Sequence, residues 1–359
     1  MRNVLGNNVT LTLFGESHQK CIGAVLDGLP AGIKIDEAFI NKMLAKRRPS
    51  SLMDTARKEE DKYEIVSGVF NGYTTGSPIC LIIPNENVKS GDYSERVIRP
   101  SHADYVSEIK YGGFADYRGG GHFSGRLTAP IVALGAICLK ALNDKGISVG
   151  THILKCGKVE DVPFDNIVDD IKKFDSKDIP IISNIEKDIE KEILAARENL
   201  DSIGGIVQTG IDGLPAGVGE PWFSSLEGVL AKAMFSIGGV KGIEFGKGFD
   251  FAKGYGSDNN DALMFDNGKV VTKTNNNGGI NGGISNGMPI IFNLAIKPTP
   301  SIGKEQDSVD LANKENVKIQ IKGRHDPAII RRISVVITCL TAIVLCDELT
   351  KRYGEDYLK

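Results

Sequence analysis

The hexapeptide DGLPAG occurs twice in this chain, at Asp27–Gly32 and again at Asp212–Gly217. Each copy follows an apolar run of strand-like composition, Gly23–Leu26 in the first case and Gly205–Gly210 in the second. Two explanations remain open at this point. Proline and glycine can simply make the same tight turn twice, or the chain contains an internal structural duplication. We favour the duplication, with one strand–turn unit in each half.

The segments around these two copies predict a mixed α/β protein. Further β-type runs lie at Val9–Phe14, Ile79–Pro84 and Ile290–Ile296. Thr128 is predicted to cap an apolar helix that ends near Asp144. No Pro/Ser-rich linker interrupts the chain, so we predict one continuous domain over residues 1–359.

Three further segments complete the helical prediction. Apolar residues recur at helical spacing between Leu226 and Ala233, which indicates an amphipathic helix. The apolar run Ile333–Cys346 is too short to span a bilayer and predicts a buried helix. Residues 160–200 are rich in Asp, Lys and Glu and are predicted to form exposed helical structure.

Composition limits the classes of function. The 359 residues carry a net charge of −3, which argues against a general nucleic-acid or membrane-surface binder. Six cysteines show neither a CxxC pair nor metal-ligand spacing, so we predict no metal site and a reduced, cytoplasmic setting. The N-terminus lacks the apolar core of a secretory signal.

Histidines and arginines concentrate in a few loops. Four of the five histidines, His18, His102, His122 and His325, lie in polar or glycine-rich segments. Arginines occur in or near the same segments, and guanidinium groups bind phosphate and carboxylate bidentately. Because imidazole titrates near neutral pH, the pattern predicts a site for a small polyanion with acid–base histidines.

Glycine-rich stretches suggest that backbone approaches this ligand closely. The stretch Gly119–Gly121 begins the octapeptide GGGHFSGR, and two other glycine-rich stretches occur near residues 238 and 280. None of the three fits the dinucleotide-binding or P-loop pattern. The residue pattern alone therefore predicts a site for an anionic ligand but does not identify that ligand.

Many motifs in this chain resemble those of the chorismate synthase family, in order from about residue 5 to residue 346. They are FGESH (14–18), DGLPAG (27–32), RRP (47–49), RPSHADY (99–105), DYRGGG (116–121), DSIGG (201–205), GLPAGVGEP (213–221), SIGGVKGIEFGKGF (236–249), GGINGGISNG (278–287), KPTPS (297–301) and GRHDP (323–327).

The resemblance implies a fold and a reaction. The implied fold is an α/β unit of the α+β type, with helices sandwiched between antiparallel sheets and an internal pseudo-repeat. The implied reaction is the last step of the shikimate pathway, in which 5-enolpyruvylshikimate 3-phosphate loses phosphate and a C6 hydrogen in a 1,4-elimination to give chorismate. The family uses reduced FMN (FMNH2) and forms homotetramers. An external flavin reductase or another supply of reduced flavin is then required.

Catalytic roles follow from the same resemblance. His102 is implied as the acid that protonates the departing phosphate, and His18 as the group that protonates reduced flavin. Asp326 is the implied base, acting through the flavin. Ser17 and Ser124 match serines placed near substrate and flavin.

Binding roles also follow from it. Residues implied to hold substrate or flavin anions are Arg47, Arg126 and Arg324. The implied flavin-binding residues are His122, Phe123, Ser124, Gly238, Gly239, Gly282, Lys297, Pro298, Thr299, Pro300, Ser301 and Arg324.

The chain departs from the family pattern at several places. Where members commonly read GGGRSSAR, His122 replaces an arginine and Phe123 a serine, which predicts weaker or more pH-dependent anion binding there. Ser101 replaces the glycine of RPGHAD. Met53 replaces a second arginine that pairs with Arg47 in a nicotinamide-nucleotide assignment, which disfavours NADPH binding.

Two alternatives stay open. The chain could be a bifunctional enzyme that also reduces its own flavin with NADPH, or a non-catalytic flavin- or anion-binding protein that keeps the scaffold.

Overall fold

The computed structural model of the chain describes residues 3–51, 53–54, 60–86, 97–321 and 326–359. Its helices are α1 (Glu37–Arg47), α2 (Asp104–Tyr111), α3 (Thr128–Asp144), α4 (Ile167–Asp175), α5 (Glu186–Glu198), α6 (Leu226–Phe235), α7 (Gly256–Asn259) and α8 (Ile330–Tyr353). Its strands are β1 (Val4–Leu5), β2 (Thr10–Gly15), β3 (Cys21–Asp27), β4 (Glu64–Ser67), β5 (Val69–Phe70), β6 (Tyr73–Thr74), β7 (Ile79–Pro84), β8 (Ser148–Cys156), β9 (Val159–Glu160), β10 (Gly205–Asp212), β11 (Val240–Phe245), β12 (Leu263–Asp266), β13 (Lys269–Thr272), β14 (Ile280–Asn281), β15 (Ile284–Ser285), β16 (Ile290–Ile296), β17 (Glu305–Asp310) and β18 (Glu315–Gln320).

Two five-stranded antiparallel sheets enclose the long helices. Their strand orders are β1-β2-β3-β7-β4 and β9-β8-β10-β16-β11. Helix α3 packs against β3 and β7 of the first sheet, α8 packs against β8 and β10 of the second, and the two helices pack on each other. The predicted α/β fold, with helices sandwiched between antiparallel sheets, is confirmed.

The two longest apolar helices form the centre of this sandwich. By length and composition alone both pass as candidate membrane spans, one ending at Asp144 and the other running from Ile330 to Tyr353. However, 83% of the apolar window in the first and 100% of that in the second are buried within the protein. Since the run Ile333–Cys346 lies inside α8, its prediction as a buried helix is correct.

The chain contains an internal structural duplication. Its first half follows the order β2, β3, α1, β4, β7, α3, and its second half follows β8, β10, α6, β11, β16, α8. In each half the second strand is central and pairs with the first and the last. Each half also places an irregularity in register at its edge strand, β4 or β11. Shared turn chemistry alone would not produce this matched topology.

Hydrogen bonds around the two DGLPAG copies repeat as well. The Thr74 hydroxyl donates to the Pro30 carbonyl at 2.6 Å and accepts at 2.9 Å from the amide three residues after that proline. The Ser285 hydroxyl makes the same pair of bonds, also at 2.6 and 2.9 Å, around Pro215. Each copy of the motif is therefore held by one buried hydroxyl from a later hairpin.

Removing either hydroxyl is expected to destabilise the fold. Thr74→Val and Ser285→Ala each leave a buried amide and a buried carbonyl without a partner, which costs about 1–3 kcal/mol. Urea denaturation of each variant measures this loss. Thr75→Val is the matched control because Thr75 is exposed on the same hairpin. Equal losses at positions 74 and 75 would contradict the assignment.

Two local predictions need correction. Thr128 does not cap α3 but is its first helical residue, and its hydroxyl donates to the Gly125 carbonyl at 2.6 Å. The segment 160–200 is helical as predicted but is not simply exposed. Apolar residues at helical spacing turn inward, so Phe174 of α4 and Ile189 of α5 are both buried.

Candidate active site

A cleft of about 1440 Å³ opens where the loops of the two halves meet. Its walls come from the segment 97–126, the first turns of α8, the end of α6 and the loop after β16. Most residues predicted from sequence line it: His18, Arg47, His102, His122, Phe123, Ser124, Arg126, Gly238, Gly239, Lys297, Pro298, Thr299, Pro300, Ser301 and Asp326.

Three predicted residues lie elsewhere or outside the description. Ser17 is fully buried behind the wall, with its hydroxyl 3.2 Å from both His18 Nδ1 and the Gly119 carbonyl oxygen. Gly282 lies in the turn between β14 and β15 and is not among the cleft residues. Arg324, together with His325, lies outside the described residues.

The glycine run Gly119–Gly121 brings two histidines together. All three glycines adopt left-handed φ angles of 60°, 85° and 51°. A Cβ on Gly119 would lie 2.2 Å from His18 Cε1, and one on Gly120 would lie 3.3 Å from His102 Cε1. The sequence predicted bare backbone for a ligand, whereas the first two glycines make room for these imidazole rings.

His122 faces the same cleft from the end of this run. Its Nδ1 lies 2.8 Å from the Gly15 carbonyl oxygen. Because a carbonyl only accepts, Nδ1 carries the hydrogen and Nε2 is the remaining polar atom of the ring. The neighbouring Phe123 is half exposed, and Ser124 accepts a bond from the Arg126 amide in a short helical turn.

The turn that carries His102 contains Ser101, which replaces the glycine of the family motif RPGHAD. Ser101 has a φ of 58°, in the left-handed region where the glycine of RPGHAD is unstrained. The Lys297 ammonium donates to the Ser101 carbonyl at 2.9 Å. This contact ties the histidine turn to the loop after β16.

Arg47 and Arg126 share a buried carboxylate that sequence reasoning missed. Asp61 accepts from Arg47 Nη1 at 2.8 Å through one oxygen and from Arg126 Nη1 at 2.9 Å through the other. Its side chain is only 1% exposed. No motif marked Asp61, because it follows a run of acidic residues that looks like solvated surface.

Further bonds fix both arginines in the wall. Arg47 donates to the Thr128 hydroxyl at 2.9 Å and to the Gly125 carbonyl at 3.1 Å. Arg126 donates to the Asn85 side chain at 2.5 Å and to the Pro84 carbonyl at 2.9 Å. These bonds hold both guanidinium groups in the wall of the cleft.

Asp326 lies in the cleft wall in an ion pair with Arg332. The two side chains are 14% and 16% exposed, so the pair is largely shielded from water. Arg332 also donates from Nε to the Arg47 carbonyl at 2.7 Å. An arginine partner favours the ionised carboxylate, the form that a base requires.

The cleft has features that an anionic ligand would need. Burial, together with repulsion from Lys241, lowers the pKa of Lys297, and a bound anion would relieve both effects. The Thr299 hydroxyl is buried without a hydrogen-bond partner beside the same cleft. An unsatisfied hydroxyl next to a lysine fits an oxygen-rich group of the ligand.

Within the described part of the chain, no cluster of three or more His, Cys, Asp or Glu residues is arranged to hold a metal ion.

Comparisons with known proteins agree with one another. A family model described as chorismate synthase matches residues 9–350. Chorismate synthase from Methanocaldococcus jannaschii is 46% identical, over 98% of this chain and 97% of the relative. The enzyme from Lachnoclostridium phytofermentans is also 46% identical, over 99% and 97%. A crystal structure of chorismate synthase superposes with a TM-score of 0.78 at 30% identity, covering 98% of this chain and 94% of that one.

Proposed function

The chain belongs to the chorismate synthase family, and we propose that its cleft binds 5-enolpyruvylshikimate 3-phosphate beside reduced FMN. The protein is a carbon–oxygen lyase of aromatic amino-acid biosynthesis. It removes phosphate and a C6 hydrogen from this substrate in a 1,4-elimination, giving chorismate and inorganic phosphate.

One observation carries the proposed chemistry: His18 and His102 contact successive glycines of one bare segment in a cation-lined cleft. We assign His102 as the acid for the departing phosphate, because an oxyanion leaves faster when a donor stands beside it. His18 would donate a proton to the reduced flavin, and Asp326 would accept the C6 proton. Ser17 supports His18 from behind the wall.

The substrate anions would meet the positive clusters of the cleft. Arg47 and Arg126, held by Asp61, line the cleft with guanidinium groups, and Arg324 is proposed to add a third. Reduced FMN, when bound, supplies transient electron density to the reacting carbons. The residues proposed to hold it are His122, Phe123, Ser124, Gly238, Gly239, Gly282, Lys297, Pro298, Thr299, Pro300, Ser301 and Arg324.

We propose a monofunctional enzyme that takes reduced flavin from an external reductase. The observation in favour is Met53, which is buried and offers no charge to a nicotinamide nucleotide. An anaerobic assay with the enolpyruvyl substrate and chemically reduced FMN, with and without NADPH, tests this. Chorismate should form equally in both. Turnover from oxidised FMN plus NADPH alone would establish the bifunctional alternative, and flavin binding without turnover would establish the non-catalytic one.

We further propose a cytoplasmic homotetramer built from single-domain subunits. One apolar core, running from Val9 to Leu358, includes side chains of both halves, which favours a single domain. Trp222 and Phe223 are 85% and 100% exposed, as expected of side chains that a second copy covers. Light scattering should give about four times the 38.7 kDa chain mass. A monomeric mass would refute the assembly.

A further inference from the structure

His102 belongs to a chain of three side chains at the cleft. Its Nδ1 lies 2.7 Å from Asp104 Oδ1, and both residues are largely buried. Arg99 binds the same carboxylate bidentately: its Nε and Nη2 each donate a hydrogen bond of 2.8 Å, to different oxygens of Asp104. Burial alone would raise the pKa of Asp104, but the hydrogen bonds from Arg99 and His102 outweigh burial and hold it well below its usual range. Asp104 is therefore a carboxylate acceptor.

The geometry decides which nitrogen of His102 carries the hydrogen. A lone pair on Nδ1 would face an ionised oxygen at 2.7 Å and be repelled, so Nδ1 must donate. Arg99 Nη2 also lies 3.1 Å from Nδ1. This longer contact cannot be a donation to the same nitrogen, because Nδ1–H has no free lone pair in the ring plane. Nε2 is then the nitrogen that gains and loses a proton.

We infer that Asp104 is a positioning residue for the elimination, which holds His102 with Nδ1–H toward itself and Nε2 toward the substrate. Nε2 approaches the bare backbone at Gly120, 3.6 Å from where a Cβ would be. The carboxylate accepts from Nδ1 whether His102 is protonated or neutral, so the proton that moves is always the one on Nε2. This inference rests on the proposed role of His102 as the acid.

Other charged groups near His102 do not replace this contact. Arg99 donates to Asp104, and Lys297 donates to the backbone at Ser101. His18 lies across the glycine run, on Gly119. Among these neighbours, Asp104 is the group that accepts from the His102 ring.

The test combines NMR with kinetics on the full-length Asp104→Asn variant. Selective 15N labelling of histidine, with His102→Gln to assign the signal, reports which ring nitrogen is protonated when His102 is neutral. Wild-type protein should show Nδ1–H. The Asn variant must turn its oxygen toward Arg99 and its amide toward His102, so the signal should change to Nε2–H. We expect kcat to fall on the order of 10²-fold with little change in KM.

Two further variants make the result specific. Asp104→Glu keeps the carboxylate and should recover part of kcat together with the Nδ1–H signal. Asp169→Asn removes an exposed carboxylate of α4, outside the cleft, and should leave both unchanged. Circular dichroism confirms that each variant is folded, and the NMR signal can be read from any folded variant.

The outcomes separate this inference from the proposed function. An unchanged Nδ1–H signal in Asp104→Asn would overturn the inference whatever the activity. A large rise in KM at constant kcat would also overturn it, since Asp104 would then bind substrate directly. A changed tautomer with full turnover would instead remove His102 from the role of acid.

Discussion

Replacing His102 with alanine is expected to lower kcat by about 10²–10⁴-fold, the usual contribution of a positioned general acid. Without a donor, the phosphate must leave as a more highly charged anion. FMN affinity should change little, because the chain offers other cations and the Thr299 hydroxyl to the cofactor. Single-turnover assays with reduced FMN, together with flavin titrations, measure the two quantities separately.

His152 provides a matched control for this loss. It is a fully buried histidine between Phe164 and Phe174, outside the cleft residues. His152→Gln should lower the free energy of unfolding and leave kcat of the folded enzyme nearly unchanged. His102→Ala should lower kcat and leave the free energy of unfolding nearly unchanged. Comparable kcat losses in both variants would show that His102 acts only through stability.

Replacing Asp61 with alanine is expected to destabilise the protein by about 3–5 kcal/mol, because it leaves two buried guanidinium groups without their shared counter-charge. Arg47 and Arg126 are 7% and 4% exposed, so water cannot take the place of the carboxylate. Urea denaturation at neutral pH measures the change. Adding Arg126→Gln to Asp61→Ala should recover part of it, since one of the two buried positive charges is removed.

A surface ion pair supplies the comparison for Asp61. Asp307 pairs with Lys318, but the two side chains are 89% and 66% exposed. Solvent screens such a pair, so Asp307→Ala should change the free energy of unfolding by no more than about 0.5 kcal/mol. A loss of stability in Asp61→Ala as small as that in Asp307→Ala would contradict the interpretation that Asp61 is the buried counter-charge of both arginines.

The sequence located most of the cleft residues through their local setting. Loop histidines such as His18 and His102 stood out because they lie in polar or glycine-rich segments with arginines in or near them, and the structure brings them to one glycine run. Asp61 and Asp104 did not stand out. In sequence, an aspartate in a solvated loop looks the same as one that is buried between arginines or against a histidine, so only the tertiary contacts distinguish the two.

Repeats and periodicity in the sequence predicted the secondary-structure elements and favoured the internal duplication. The two DGLPAG copies, the strand-like runs and the apolar helices depend on spacings of two and 3.6 residues, which are local properties of the chain. They predicted a mixed α/β protein and favoured a duplicated strand–turn unit, whereas the sandwich of helices between antiparallel sheets was implied by the resemblance to the chorismate synthase family. Segment 160–200 was misjudged because its charged composition hid the apolar stripe of α4 and α5.

Only the tertiary structure decided which side chains meet. Asp61 lies 14 positions from Arg47 and 65 from Arg126, yet one carboxylate bridges both. The glycines that were expected to expose backbone to a ligand instead admit His18 and His102. Such contacts depend on the path of the chain between distant segments. No local periodicity records that path. The sequence by itself therefore determined the strands, the helices and the loop histidines, and the packed fold determined which partners hold those histidines.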